Sequence, residues 1–107
     1  MIIYNTTYHV PLADARDFVI WVSQAVLPRL GQTSYVSSAR LSRILSHRDD
    51  ESECFALQFE VESTARLHYW LIHEGKQIDN ELAKTFNNRI LGIATMMEEV
   101  ETIKAAN

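Results

Sequence analysis

From Glu53 to Val61 a large apolar residue recurs at every second position from Phe55 onward, and immediately afterwards the apolar spacing changes to that of a helix. Phe55, Leu57, Phe59 and Val61 fall on one side of this segment, and Cys54, Ala56, Gln58 and Glu60 on the other. A period of two specifies a strand with one committed face, because a slip of one residue would turn every large side chain to the wrong side. Ser63 suits a helix N-cap, and Leu67, Leu71, Gly75, Ile78, Leu82 and Phe86 recur at three- and four-residue steps. The spacing predicts a helix over Thr64 to Asn88. Gly75 costs about 1 kcal/mol against alanine inside a helix, so it either marks a close approach to the sheet or divides the helix in two.

The remaining segments follow from the same periods. Ile2 to Val10, rich in β-branched and aromatic residues, reads as a first strand that Pro11 ends. Asp14 and Asp17 resemble a capping arrangement, and Phe18, Trp21, Val22, Ala25 and Val26 form the stripe of an amphipathic helix. Pro28 should kink or tighten this helix near Leu27, with an end by Gly31 and a loop over Gln32 to Ser38. Ala39 to Arg48 reads as a second strand, and Asp49-Asp50-Glu51-Ser52 as an acidic hairpin turn. Gly92 should open a last strand over Ile93 to Ile103, with fraying from Lys104 to Asn107. The order strand, helix, strand, strand, helix, strand is the split βαβ, or ferredoxin-like, α+β arrangement: a four-stranded antiparallel sheet with both helices on one face. A chain of 107 residues hides roughly 60 to 70% of its unfolded surface, enough for one domain over residues 1–107 and no second. The far face of the sheet also carries apolar residues, and the economical cover is a second copy of the chain, a symmetric homodimer.

Composition removes several classes of function. Ten Lys and Arg against fourteen Asp and Glu give a formal charge of -4, the wrong sign for affinity drawn from phosphate counterions, so no nucleic-acid partner is expected. One cysteine, Cys54, closes no intramolecular disulfide, and the first residues carry no basic segment before an apolar core; a cytoplasmic location is expected. No apolar run reaches the length of a membrane span. Three glycines leave no phosphate loop, dinucleotide fingerprint or nucleophile elbow, and Cys54 beside Phe55 and Ala56 reads as a buried, inert thiol. His9 and His47 are expected at opposite edges of the sheet, and His68 and His73 on different faces of a helix. No metal and no cofactor are therefore expected. What remains is an inventory of Tyr4, Tyr8, Trp21, Tyr69 and Trp70, with Arg43 and His47 on one strand face. It suits the lining of a small-ligand pocket and equally an ordinary core. Arg43 and His47 either enter a pocket or dimer interface, or end on the sheet edge beside acids such as Glu99.

The segments Met1 to Val10, Arg40 to Arg48 and Leu67-His68-Tyr69-Trp70 resemble a family of small bacterial proteins classed as a domain of unknown function, family 4286. The resemblance covers nearly the whole chain and implies a fold similar to the dimeric α+β barrels. That superfamily includes cofactor-independent quinone-forming and haem-degrading monooxygenases, but fold alone transfers no reaction. The haem-degrading members are similar at Asn5 and Trp70; the position matching their axial histidine is about Asn80, which is not a normal haem ligand. Three readings follow. The first is a homodimer binding a small apolar or aromatic ligand between helices and sheet, with Tyr4, Asn5, Arg43, His47 and Trp70 as lining candidates. The second is an oxygenase of the cofactor-independent or haem-degrading type, and the third a purely structural dimer. The residues lean away from an enzyme.

Overall fold

The structure is a computed structural model that describes residues 1–47 and 49–106. Four antiparallel strands, β1 (Ile2–Pro11), β2 (Val36–Arg43), β3 (Ser52–Val61) and β4 (Leu91–Glu98), lie in the order β2-β3-β1-β4. Two helical rods cross one face. The first joins α1 (Leu12–Trp21) to α2 (Leu27–Gln32), and the second joins α3 (Thr64–Trp70) to α4 (Lys76–Thr85). This is the βαββαβ order that the alternating periods predict.

The two central strands carry the core because their alternation turns the large residues to the same side. Along β1 and β3 the register sets Tyr4 opposite Phe59, Thr6 opposite Leu57 and Tyr8 opposite Phe55. Phe18, fully buried on α1, meets Tyr8 at 5.1 Å, Phe55 at 5.4 Å and Phe86 at 6.2 Å between ring centroids. One ring thus holds the first rod against both central strands and against the end of the second rod. Tilted contacts of this kind add to the burial of the rings themselves.

Each rod contains one π-helical turn, and in each a tryptophan immediately precedes it. The turn at Val22–Val26 closes with the Leu27 N–H donating to the Val22 carbonyl. Pro28 explains it: proline has no N–H to donate and its ring crowds the carbonyl four residues back, so the backbone widens where a kink or a tightening is expected, and the rod continues to Gln32. The second turn, Leu71–Gly75, closes with the Lys76 N–H donating to the Leu71 carbonyl. Gly75 neither divides the rod nor approaches the sheet; a Cβ there would lie 3.2 Å from the Trp70 ring, so the close approach is to the rod's own tryptophan.

Several boundaries differ from the sequence expectation. The first helix begins at Leu12 after Pro11, and Asp14 makes no cap. Asp14 is instead buried and accepts two hydrogen bonds of 2.9 Å from the Arg89 guanidinium, which ties the start of the first rod to the turn after the second and holds the carboxyl below its usual range. Strand β2 starts earlier than Ala39 and ends at Arg43; Leu45 projects into solvent, 82% exposed, and Arg48, the expected strand end, lies outside the described residues. Asp49 organises the loop by accepting from the Glu51 N–H and the Ser52 hydroxyl. Ser63 caps the second rod by accepting from the Arg66 N–H, as expected. That rod ends at Thr85 rather than Asn88, and Asn87 and Asn88 take the left-handed backbone (φ 52° and 59°) that turns the chain into β4. In β4, Val100 and Ile103 are not part of the strand and stand exposed, and Asn107 lies outside the described residues.

Gly92 sits inside β4, opposite Tyr8, rather than before the strand. A Cβ there would come within 2.9 Å of Tyr8 Cε1, and that ring cannot retreat because Phe18 packs behind it. Gly92→Ala is expected to destabilise the fold by about 1–3 kcal/mol, read as a lower denaturant midpoint with a changed near-ultraviolet tyrosine signal. An unchanged midpoint would show that Tyr8 is free to move.

Candidate functional site

Strand β4 is exposed along its whole length because the second rod does not cover it. Its helix-facing residues, Gly92, Ala94 and Met96, are paired with Tyr8, Thr6 and Tyr4 of β1. With glycine and alanine at two of these positions, a hollow of about 260 Å³ opens between the sheet and α4. Tyr4, Thr6 and Tyr8 form its floor, Gly92, Ala94 and Ile90 one wall, and Asp79, Leu82, Ala83 and Asn88 the other.

The hollow has a definite electrostatic character. Asp79 comes from the first turn of α4 and stands at the rim, exposed on one side. Loss of water on the other side pushes its carboxyl above the usual carboxylate range. The Tyr8 hydroxyl is pushed up to about 12, first by burial and then by the Asp79 charge; Tyr4 is raised by the same two causes, and the Thr6 hydroxyl opposes both shifts. The tyrosines therefore stay protonated, able to donate, facing a carboxylate that prefers a hydrogen bond or a proton. Such an arrangement can accept a hydroxyl at Asp79 and donate to a ring oxygen from the tyrosines.

The lining candidates from the sequence do not converge. Tyr4 is on the floor of the hollow. Asn5 points to the opposite face of the sheet, where its amide donates to the Thr7 hydroxyl at 3.2 Å. Trp70 is buried beneath the rod with its ring 4.6 Å from Phe59, which separates it from Tyr4. Asn5 and Trp70, the pair on which the haem-type resemblance rests, thus lie on the two sides of the sheet. Arg43 donates to Glu53 at 3.2 Å and spans the Phe55 ring at the sheet edge, so its acid is Glu53 rather than Glu99. Trp21 meets Phe86 edge-on and belongs to the core margin.

His47 corrects the sequence expectation most sharply. Strand β3 lies between β1 and β2, so His9 pairs directly with Cys54, and the loop after β2 folds back until His47 Nε2 is 3.0 Å from the Ser52 hydroxyl. The rings of His9 and His47, expected at opposite edges, are 5.6 Å apart. Cys54 is buried, as expected, and desolvation raises its thiol. Tyr8, which the sequence offers equally as pocket lining and as core, is on the floor of the hollow, whereas Asp79 lies on an exposed helix face and carries no sequence signal.

A family model, the domain of unknown function DUF4286, matches residues 1–100. The chain belongs to the DUF4286 family. No curated protein matches it. Among solved structures, it is similar to a Deinococcus radiodurans protein provisionally assigned as an antibiotic biosynthesis monooxygenase, at 17% identity and TM-score 0.78 over 100% of both chains. It is also similar to a Streptomyces coelicolor monooxygenase in complex with nanaomycin D, at 14% identity and TM-score 0.64 over 98% of this chain and 92% of that one. A third is a dimeric ferredoxin-like protein from an uncultured marine organism, at 12% identity and TM-score 0.65 over 95% and 98% of the two chains. These likenesses establish the ferredoxin-like fold for this DUF4286 chain. Among the described residues no helix is long and apolar enough to cross a membrane.

A raised carboxyl makes its charged form a cost to folding. The penalty of Asp79 is absent below the ordinary carboxylate pKa and grows as pH rises through the folded-state value. Asp79→Asn is expected to raise stability at neutral pH by less than about 1 kcal/mol, the rim being solvated, with the gain vanishing in acid. Thermal unfolding of both proteins across pH measures it; a loss of stability at neutral pH would contradict the assignment.

Proposed function

We propose that this protein is a homodimer that binds a compact, planar aromatic molecule bearing a hydroxyl group in the hollow between α4 and strands β1 and β4. The observation that carries the reading is the Asp79 carboxyl, partly desolvated at the rim, lining a cavity of about 260 Å³ with the hydroxyl-bearing rings of Tyr4 and Tyr8. A cavity of roughly 150 Å³ admits benzene, so this one suits one or two fused rings. Tyr4 and Tyr8 supply a flat apolar floor with hydroxyl ends, and Asp79 accepts the ligand hydroxyl.

Titration with 2-naphthol, followed by ligand fluorescence, tests this reading. Saturable binding is expected, weaker by about tenfold in Asp79→Asn and weaker for naphthalene than for naphthol. Absence of saturation, or equal affinity in the variant, would overturn the reading and leave a structural dimer.

A second reading, a cofactor-independent oxygenase, is favoured by the same Asp79. A carboxylate with raised proton affinity is a competent base toward a phenol, and a phenolate is the electron-rich form that oxygen attacks. Oxygen uptake with a hydroquinone, lost in Asp79→Asn, is its signature. Asn5 is on the other face of the sheet and plays no part in it.

Dimerisation rests on the sheet face away from the rods. Leu91, Ile93 and Met97 of β4 are exposed there at 61%, 55% and 37%, in line with Ile3 and Ala56. A patch of this kind on a small soluble domain is ordinarily covered, and a second sheet is the matching shape. Sedimentation equilibrium is expected to give twice the 12.3 kDa chain mass, and Ile93→Glu to give the single mass. A monomeric unmodified protein would remove this interface.

A further inference from the structure

Outside the hollow, three metal-ligating side chains meet at one end of the sheet's rod-free face. His9 comes from β1, Cys54 from β3 and His47 from the loop between β2 and β3, and one ligand atom from each lies within 4.8 Å of the other two. His9 Nδ1 and Cys54 Sγ are 3.3 Å apart, close to the separation that two donors take around one late transition-metal ion. We propose that His9, His47 and Cys54 form a binding site for a late first-row divalent cation, zinc above all.

The donor set selects the metal. Two imidazoles and one thiolate are soft and borderline ligands, unsuited to magnesium or calcium and suited to zinc, cobalt or copper. Three protein ligands leave a fourth position for water or another donor, the pattern of an open rather than a closed site.

Surrounding groups orient the ligands. The His47 ring is held at Nε2 by the Ser52 hydroxyl, which donates to Asp49 Oδ2 at 3.0 Å, and Asp49 is itself fixed by the Glu51 N–H. A chain of hydroxyl and carboxylate behind a ligating imidazole is the outer support that metal sites use. Asp49 also adds negative charge 3.9 Å from the ring. The strand register fixes His9 against Cys54, so two of the three ligands are placed by backbone pairing before any metal arrives. In the single chain His9 is exposed, while Cys54 is buried beneath it.

The full chain, reduced and freed of metal, is titrated with cobalt(II) and then zinc(II). A thiolate-to-cobalt charge-transfer band is expected, abolished by Cys54→Ser and displaced by zinc. His9→Gln, at an exposed position that does not endanger folding, is expected to lower affinity at least tenfold, and His68→Ala, on the second rod, to leave it unchanged. Failure of the band to appear in the unmodified protein, or its persistence in both Cys54→Ser and His9→Gln, would overturn the site. Naphthol binding is measured in parallel, so loss of one site is distinguished from loss of the other.

Discussion

The packing of Phe18 is the interaction on which the architecture depends. Its ring is in contact distance of Tyr8 on β1, Phe55 on β3 and Phe86 after α4. Both rods and both central strands therefore share one buried side chain, and neither rod can shift without opening a void in a close-packed core. The Asp14–Arg89 pair reinforces the same junction from its rim. Everything else that distinguishes the molecule is placed relative to this fixed centre.

Two consequences follow from where the rods stop covering the sheet. The edge strand β4 is left bare, and its small residues Gly92 and Ala94 leave the hollow above Tyr4, Thr6 and Tyr8. On the other face no rod covers any strand, and the apolar residues of β4 lie beside the imidazole and thiol groups of β1 and β3. One face thus offers a small aromatic cavity with a carboxylate, and the other an apolar surface ending in a cluster of nitrogen and sulfur donors. The two are separated by the thickness of a single sheet, so chemistry at one need not disturb packing at the other.

The π turns add a local constraint. A proline accounts for the first, at Val22–Val26, while the second, at Leu71–Gly75, places Gly75 under the Trp70 ring. The Trp70 ring is used in this packing, against Phe59, and so is not available to a ligand in the hollow.

The sequence by itself determined the element order and the two faces of β3. Alternation in Glu53–Val61 and the three- and four-residue spacing after Ser63 are local patterns, readable because each strand or helix must bury one side. It also placed Ser63 as a cap and Cys54 as a buried thiol. Where each strand ended was less legible: β2 ends at Arg43 and β4 at Glu98 because pairing with a neighbour, absent from any local pattern, decides where a ladder stops. Only the tertiary structure decided which chemical groups meet. Asp14 found Arg89 across the chain, Gly92 made room for Tyr8, Asp79 came to face two tyrosines, and His9, His47 and Cys54 gathered from three segments. Those meetings depend on sheet order and loop path, which arise from packing the whole chain at once, and no periodicity along the sequence encodes them.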